Sequence, residues 1–190
     1  MHVLLRPFAR FHTPRPPPRV PEGVRVYAFG DVHGRADLLE ILLGTILREA
    51  AGVRCEVIGL GDYLDRGPDS RRVLDLLMRQ ADLPRNVRLT PLRGNHEEAF
   101  LMALADPGAM SSWLEFGGVN TLLSYGLSPI VGAPTAERIA RLREALVEAF
   151  PTNHLAFLKG MSTHLHLGDY YFVHAGIRPG RPLDRQRDED

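Results

Sequence analysis

Residues 55–67 read CEVIGLGDYLDRG. Four residues of mostly apolar character run into a Gly-Leu-Gly turn, and two aspartates and an arginine follow at once. A short buried run bounded by glycine is the pattern of a strand covered on both faces. The same design stands upstream in VRVYAFGD (24–31) and downstream in NVRLTPLRGN (86–95). Between these strands lie ADLLEILLGTILREA (36–50) and SRRVLDLLMRQA (70–81), with apolar residues at helical spacing. Strands alternating with amphipathic helices predict an α/β fold on a parallel or mixed sheet.

Beyond residue 95 the pattern changes. Residues 96–128 read as helical or irregular. TAERIARLREALVEAF (135–150) is an amphipathic helix with Thr135 as N-cap and Pro151 as its stop, and NHLAFLKG (153–160) adds a short helical piece. MSTHLHLGDYYFVHAG then reads as two strands around a Gly-Asp turn, a hairpin. Three regions are expected: a Pro/Arg-rich arm at 1–22, a folded domain at 23–179 and an unstructured, unpaired tail at 180–190.

Lys+Arg and Asp+Glu balance at 23 each, so no global field draws the chain to nucleic acid or a membrane. No apolar run reaches the roughly 18–20 residues of a membrane span, and the Pro-broken start lacks the apolar core of a signal peptide. The single cysteine, Cys55, excludes an internal disulfide and agrees with a reducing compartment. A cytoplasmic location is expected.

The polar residues collect where strands end: Asp31 and His33 in GDVHG, Asp62, Asp65 and Arg66 in GDYLDRG, Arg93, Asn95 and His96 in RGNHE, and His174 in FVHAG. Open α/β sheets bind ligands beyond the carboxyl ends of their strands, so these residues converge. Two aspartates, an asparagine and several histidines form an oxygen and imidazole donor set suited to Mn, Fe, Zn or Ni. The set is too large for one catalytic ion with an open position and suits two ions about 3.5–4 Å apart. The arginines add planar donors for phosphate oxygens. Any single Gly-Asp could be only a turn; four such motifs in order are specific.

In that order the four motifs resemble the calcineurin-like metallophosphoesterases, and more closely the phosphoprotein phosphatase branch with its bacterial and phage protein phosphatases and symmetrical dinucleoside tetraphosphatases. WLEFGGVNTLLSYG (113–126) resembles the segment bacterial members carry between the third and fourth motifs. The resemblance implies a two-sheet sandwich flanked by helices. It implies two divalent ions, manganese first, with Asp31 and His33 on one, Asn95 and His174 on the other and Asp62 between them. His96 would be the general acid, Asp65 its partner, and Arg66 with Arg93 the phosphate grip. For Arg93 a supporting ion pair is an equal alternative, and Arg66 could instead pair with Asp65 or Asp69. The implied reaction is attack of a metal-bridging hydroxide on a phosphomonoester, with phosphoserine or phosphothreonine on proteins as substrate. The alternatives are a dinucleoside polyphosphate hydrolase and a non-catalytic phospholigand-binding relic.

One part of the family pattern is unmatched. Its last metal-ligand histidine lies on a later strand, and residues 175–190 contain no histidine. The resemblance therefore implies a domain truncated at its C-terminal end. Three explanations stay open: a piece of a longer chain, a natural truncation with weakened activity, or substitution by His164 or His166.

Overall fold

The computed structural model describes residues 16–132 and 134–187. Three strands, β1 (Val24–Phe29), β2 (Arg54–Gly59) and β3 (Val87–Pro91), form a parallel sheet with β2 in the middle. Cys55 through Ile58 are buried on the central strand, which explains its mostly apolar run. Parallel pairing requires crossovers, and helices α1 (Ala36–Glu49) and α2 (Ser70–Met78) supply them. The register sets Phe29 opposite Gly59 and Gly59 opposite Pro91. The three strands thus end level, and the three motif loops leave from one edge.

Helices α3 (Asn95–Ala105), α4 (Pro107–Trp113), α5 (Val119–Ser124), α6 (Ala136–Ala149) and α7 (Thr152–Gly160) follow. Thr135 caps α6 as expected, taking the Arg138 N–H, and Asp69 and Asp106 cap α2 and α4 by taking the Arg72 and Gly108 N–H groups. A single π-turn, Leu114–Gly118, joins α4 to α5, with Gly117 at φ 114°. Phe100, Trp113, Leu122, Leu146 and Phe150 fill the core between these helices, with Tyr63 and Leu64 contributed by the second motif loop.

The expected hairpin is strands β4 (His164–Leu167) and β5 (Tyr170–Val173), antiparallel around Gly168 in the left-handed region. Just before β4, Ser162 bridges to Leu92 in parallel, and its carbonyl accepts the Arg93 N–H at 2.8 Å. The hairpin is thereby fixed beside the exit of β3.

The described ends of the arm and of the tail both carry hydrogen bonds. The described end of the arm is clasped to the hairpin turn: Arg19 N–H donates to Asp169 Oδ2 and Asp169 N–H donates to the Arg19 carbonyl, both at 2.9 Å. Residues 1–15 of the arm lie outside the described residues. The expected unpaired tail contains a 3-10 turn at Leu183–Arg185, and the Gln186 amide accepts from Arg178 N–H and donates to the Arg178 and Arg181 carbonyls. One side chain returning to three backbone groups is enough to order a segment without apolar periodicity.

Candidate metal centre

Among the described residues, five other than glycine have φ between 42° and 70°, and all five are motif residues: Asp31, His33, Asp62, Asp65 and Arg66. Each left-handed residue costs about 1–2 kcal/mol, so the surroundings must hold these turns in place. Glu97 does so for the second motif. Its buried carboxylate accepts four backbone N–H groups, Tyr63 and Leu64 on Oε1 and Asp62 and Gly94 on Oε2, at 2.8–3.1 Å. Burial pushes this carboxyl upward from its ordinary pKa, and the four N–H donors act against that shift.

The segment 113–121 holds the rest of the loop. Asp65 N–H donates to Ser70 and Thr121 hydroxyls, Arg66 N–H donates to the Gly117 carbonyl at 3.1 Å, and the Asn120 amide donates to the Arg66 carbonyl. A side chain at position 117 would strike the Arg66 Cγ, so the π-turn needs glycine there. Gly94 is similarly confined, because a Cβ there would meet the Asp62 carboxylate and backbone nitrogen.

Asp62 stands at the centre. Its Oδ1 is 3.3 Å from His174 Nε2, and its Oδ2 is 3.7 Å from His33 Nε2 and 4.0 Å from His96 Nε2. His174 Nε2 also lies 2.8 Å from Asn95 Oδ1. The Nδ1 atoms of His33 and His174 each face a backbone carbonyl at 2.8 Å, Leu64 and Leu60 respectively. A carbonyl only accepts, so both Nδ1 atoms carry a proton, and both Nε2 atoms turn inward, that of His33 taking the Arg66 donor and that of His174 aimed at the Asn95 and Asp62 oxygens. This donor set fits divalent ions: among the described residues, His33, Asp62 and His96 offer ligand atoms all within 4.8 Å of one another. Asp31 is exposed at the same loop edge, its N–H on the Gly61 carbonyl.

His96 is buried with its Nδ1 2.8 Å from Asp65 Oδ2, while Nε2 is buried and has no hydrogen-bond partner. The Asp65 carboxylate also accepts the Thr121 hydroxyl at 2.7 Å and the Trp113 indole N–H at 3.1 Å. Burial pushes the Asp65 carboxyl upward, and His96, Thr121 and Trp113 pull it back.

The arginines separate. Arg66 is exposed and donates to His33 Nε2 at 3.1 Å, with no bond to Asp65 or Asp69 among its described contacts. Arg93 is a clamp: it donates to the Leu158, Lys159 and Met161 carbonyls at the end of α7 and pairs with Glu98 at 3.2 Å. The supporting alternative for Arg93 is the one this placement favours. His164 stacks on Tyr171 with ring centroids 5.1 Å apart and His166 tilts against the same ring, so neither stands among the donors gathered around Asp62.

Glu97, Trp113, Thr121 and Asn120 were not singled out by the sequence reading. Glu97 looks like an ordinary acidic residue in a helix's first turn. The other three lie in the segment whose resemblance alone was noted.

The chain is 29% identical over 163 residues to the zinc-dependent endopolyphosphatase of Saccharomyces cerevisiae, covering 81% of this chain and 48% of that protein. It is 32% identical over 128 residues to an uncharacterised protein of Schizosaccharomyces pombe, covering 56% of this chain and 36% of that protein. The chain thus spans half or less of the length of these curated relatives. A solved structure of a proposed diadenosine tetraphosphatase superposes with a TM-score of 0.47 at 21% identity, over 88% of this chain and 60% of that one. Residues 24–190 match the model of the calcineurin-like phosphoesterases. The chain belongs to the calcineurin-like phosphoesterase family.

Proposed function

We propose that the chain hydrolyses phosphoesters with two divalent ions shared across Asp62. The observation that carries this reading is the division of one carboxylate: Oδ1 turns to His174 and, through it, Asn95, whereas Oδ2 turns to His33. Asp31 and His33 would hold one ion, and Asn95 and His174 the other. When bound, such ions supply Lewis acidity at the phosphoryl oxygens and lower the proton affinity of water. The zinc dependence in the name of the yeast relative supports zinc beside manganese.

The side chains supply the remainder. Arg66, exposed and meeting His33 Nε2 at 3.1 Å, reaches the His33 side of the site and grips the phosphoryl oxygens. His96 gives a proton from Nε2 to the leaving oxygen. Asp65 holds the opposite nitrogen, so Nε2 faces the donor cluster and can deliver. Water is kept from this proton because the His96 ring is buried.

Phosphoserine and phosphothreonine on proteins are the preferred substrates in this reading. A phosphoanhydride chain is the second, and the endopolyphosphatase relative supports it. The test loads metal-free protein with manganese or zinc. Turnover of a phosphoserine peptide is then compared with diadenosine tetraphosphate and inorganic polyphosphate. The peptide should give the highest kcat/KM; hydrolysis of polyphosphate alone would move the assignment to anhydrides. Tight binding of a phosphate analogue with no turnover of any substrate would make the chain a phospholigand-binding relic.

A further inference from the structure

We propose that a groove between α3 and α4 binds the apolar body of the leaving alcohol, making this site selective for phosphomonoesters whose alcohol carries an aromatic group. The inference rests on the proposed function and narrows its substrate class to phosphoserine or phosphothreonine flanked by an aromatic side chain, the part of the leaving alcohol that the groove would take. The groove encloses about 320 Å³ and is lined by Asn95, Ala99, Met102, Ala109, Trp113 and Phe116, with Glu98 and Ser112 at its polar margin.

Three observations connect it to the reaction. Asn95 lines the groove and touches His174, so groove and donor cluster are continuous. The Phe116 ring packs on the His96 ring with centroids 5.4 Å apart, placing apolar surface beside the proton donor, where a leaving group departs. Phe116 and Met102 are 53% and 55% exposed, an apolar rim left open to water next to a strongly polar site.

Charge selects the occupant. Among the described residues the lining includes no cation, and its one charged group is the Glu98 carboxylate. A chain of phosphates extended along it would meet apolar carbon and, at the margin, a Glu98 carboxylate already paired with Arg93 at 3.2 Å. An aromatic alcohol would bury its face against Met102 and Phe116 instead, above the buried Trp113.

The experiment compares 2-(1-naphthyl)ethyl phosphate with ethyl phosphate, because their parent alcohols have similar acidity and the chemical step is matched. The naphthyl ester should be favoured in kcat/KM by about 10–100-fold, the range expected for burying one aromatic body. Ala109→Phe, which fills the groove, should remove the preference and leave ethyl phosphate turnover in place. Met102→Ser, on the exposed rim, should reduce it without a risk to folding. The corresponding phosphonates give a readout that needs no turnover: the naphthyl compound should bind at least tenfold more tightly and alter the emission of Trp113, the single tryptophan.

Equal kcat/KM for the two esters, or a preference unchanged in both variants, overturns the inference. Loss of a concentration-dependent dimer in Ala109→Phe with ester selectivity unchanged also overturns it, since the groove would then be an interface between copies. Failure of both esters to turn over, with selective phosphonate binding lost in Ala109→Phe, would remove the catalytic reading and sustain the groove.

Discussion

His96 and Asp65 share one short contact, 2.8 Å from Nδ1 to Oδ2, and the opposite ring nitrogen of His96 is buried without a partner. A buried polar atom left unpaired costs about 1–3 kcal/mol. Such a group persists where a substrate atom completes it, and the 4.0 Å approach to Asp62 Oδ2 places that atom at the donor cluster.

His96→Ala should lower turnover of an alkyl phosphate by about 10²–10⁴-fold and that of 4-nitrophenyl phosphate far less, because nitrophenolate leaves without a proton. Steady-state rates on the two esters check this, beside unchanged metal content. Equal losses on both would remove His96 as the acid.

Trp113→Phe and Thr121→Val should each weaken the hold on Asp65. Every variant deletes one donor to a buried carboxylate, at about 1–3 kcal/mol of folding stability. Chemical denaturation measures that loss. The alkyl-to-aryl rate ratio should fall in the same direction as in His96→Ala, which mere loosening of the core would not produce.

Glu97→Gln should be more damaging than its size suggests. Replacing one oxygen by an amide nitrogen turns a donor toward two backbone N–H groups that now have no acceptor. The cost is about 2–4 kcal/mol, read as a lower urea midpoint. Metal affinity should fall as well, because the Asp62 turn loses its brace.

Asp62→Asn should cost affinity at both ion positions together, about 10–100-fold or more, since one carboxylate faces both donor groups. Equilibrium dialysis with manganese and with zinc gives the stoichiometry. Two tightly bound ions in the variant would dismiss the shared-carboxylate assignment.

Much of this architecture was legible in the chain. The β2 run from Cys55 to Ile58 is apolar except for Glu56 because the central parallel strand is buried along its length. The helix at Ala136–Ala149 is announced by its Thr135 cap and apolar spacing. Asp31, Asp62 and Asn95 stand out because polar residues directly after buried strands have few structural reasons to be there. The role of Arg93 was not legible, because the α7 carbonyls it clamps lie more than 60 positions away. Nor was the clasp of Arg19 on Asp169, which spans almost the whole chain.

The sequence by itself determined the order of strands and helices, the family, and which residues could ligate metal or carry a proton. These follow from local periodicity and from motifs whose parts are neighbours in the chain. Only the tertiary structure decided that Glu97 braces the Asp62 turn, that Trp113 and Thr121 hold Asp65, and that Asn95 opens onto an apolar groove. Each of these depends on backbone or side-chain atoms brought together across roughly 15–60 positions, a proximity that level strand ends and close packing create and that no local pattern encodes.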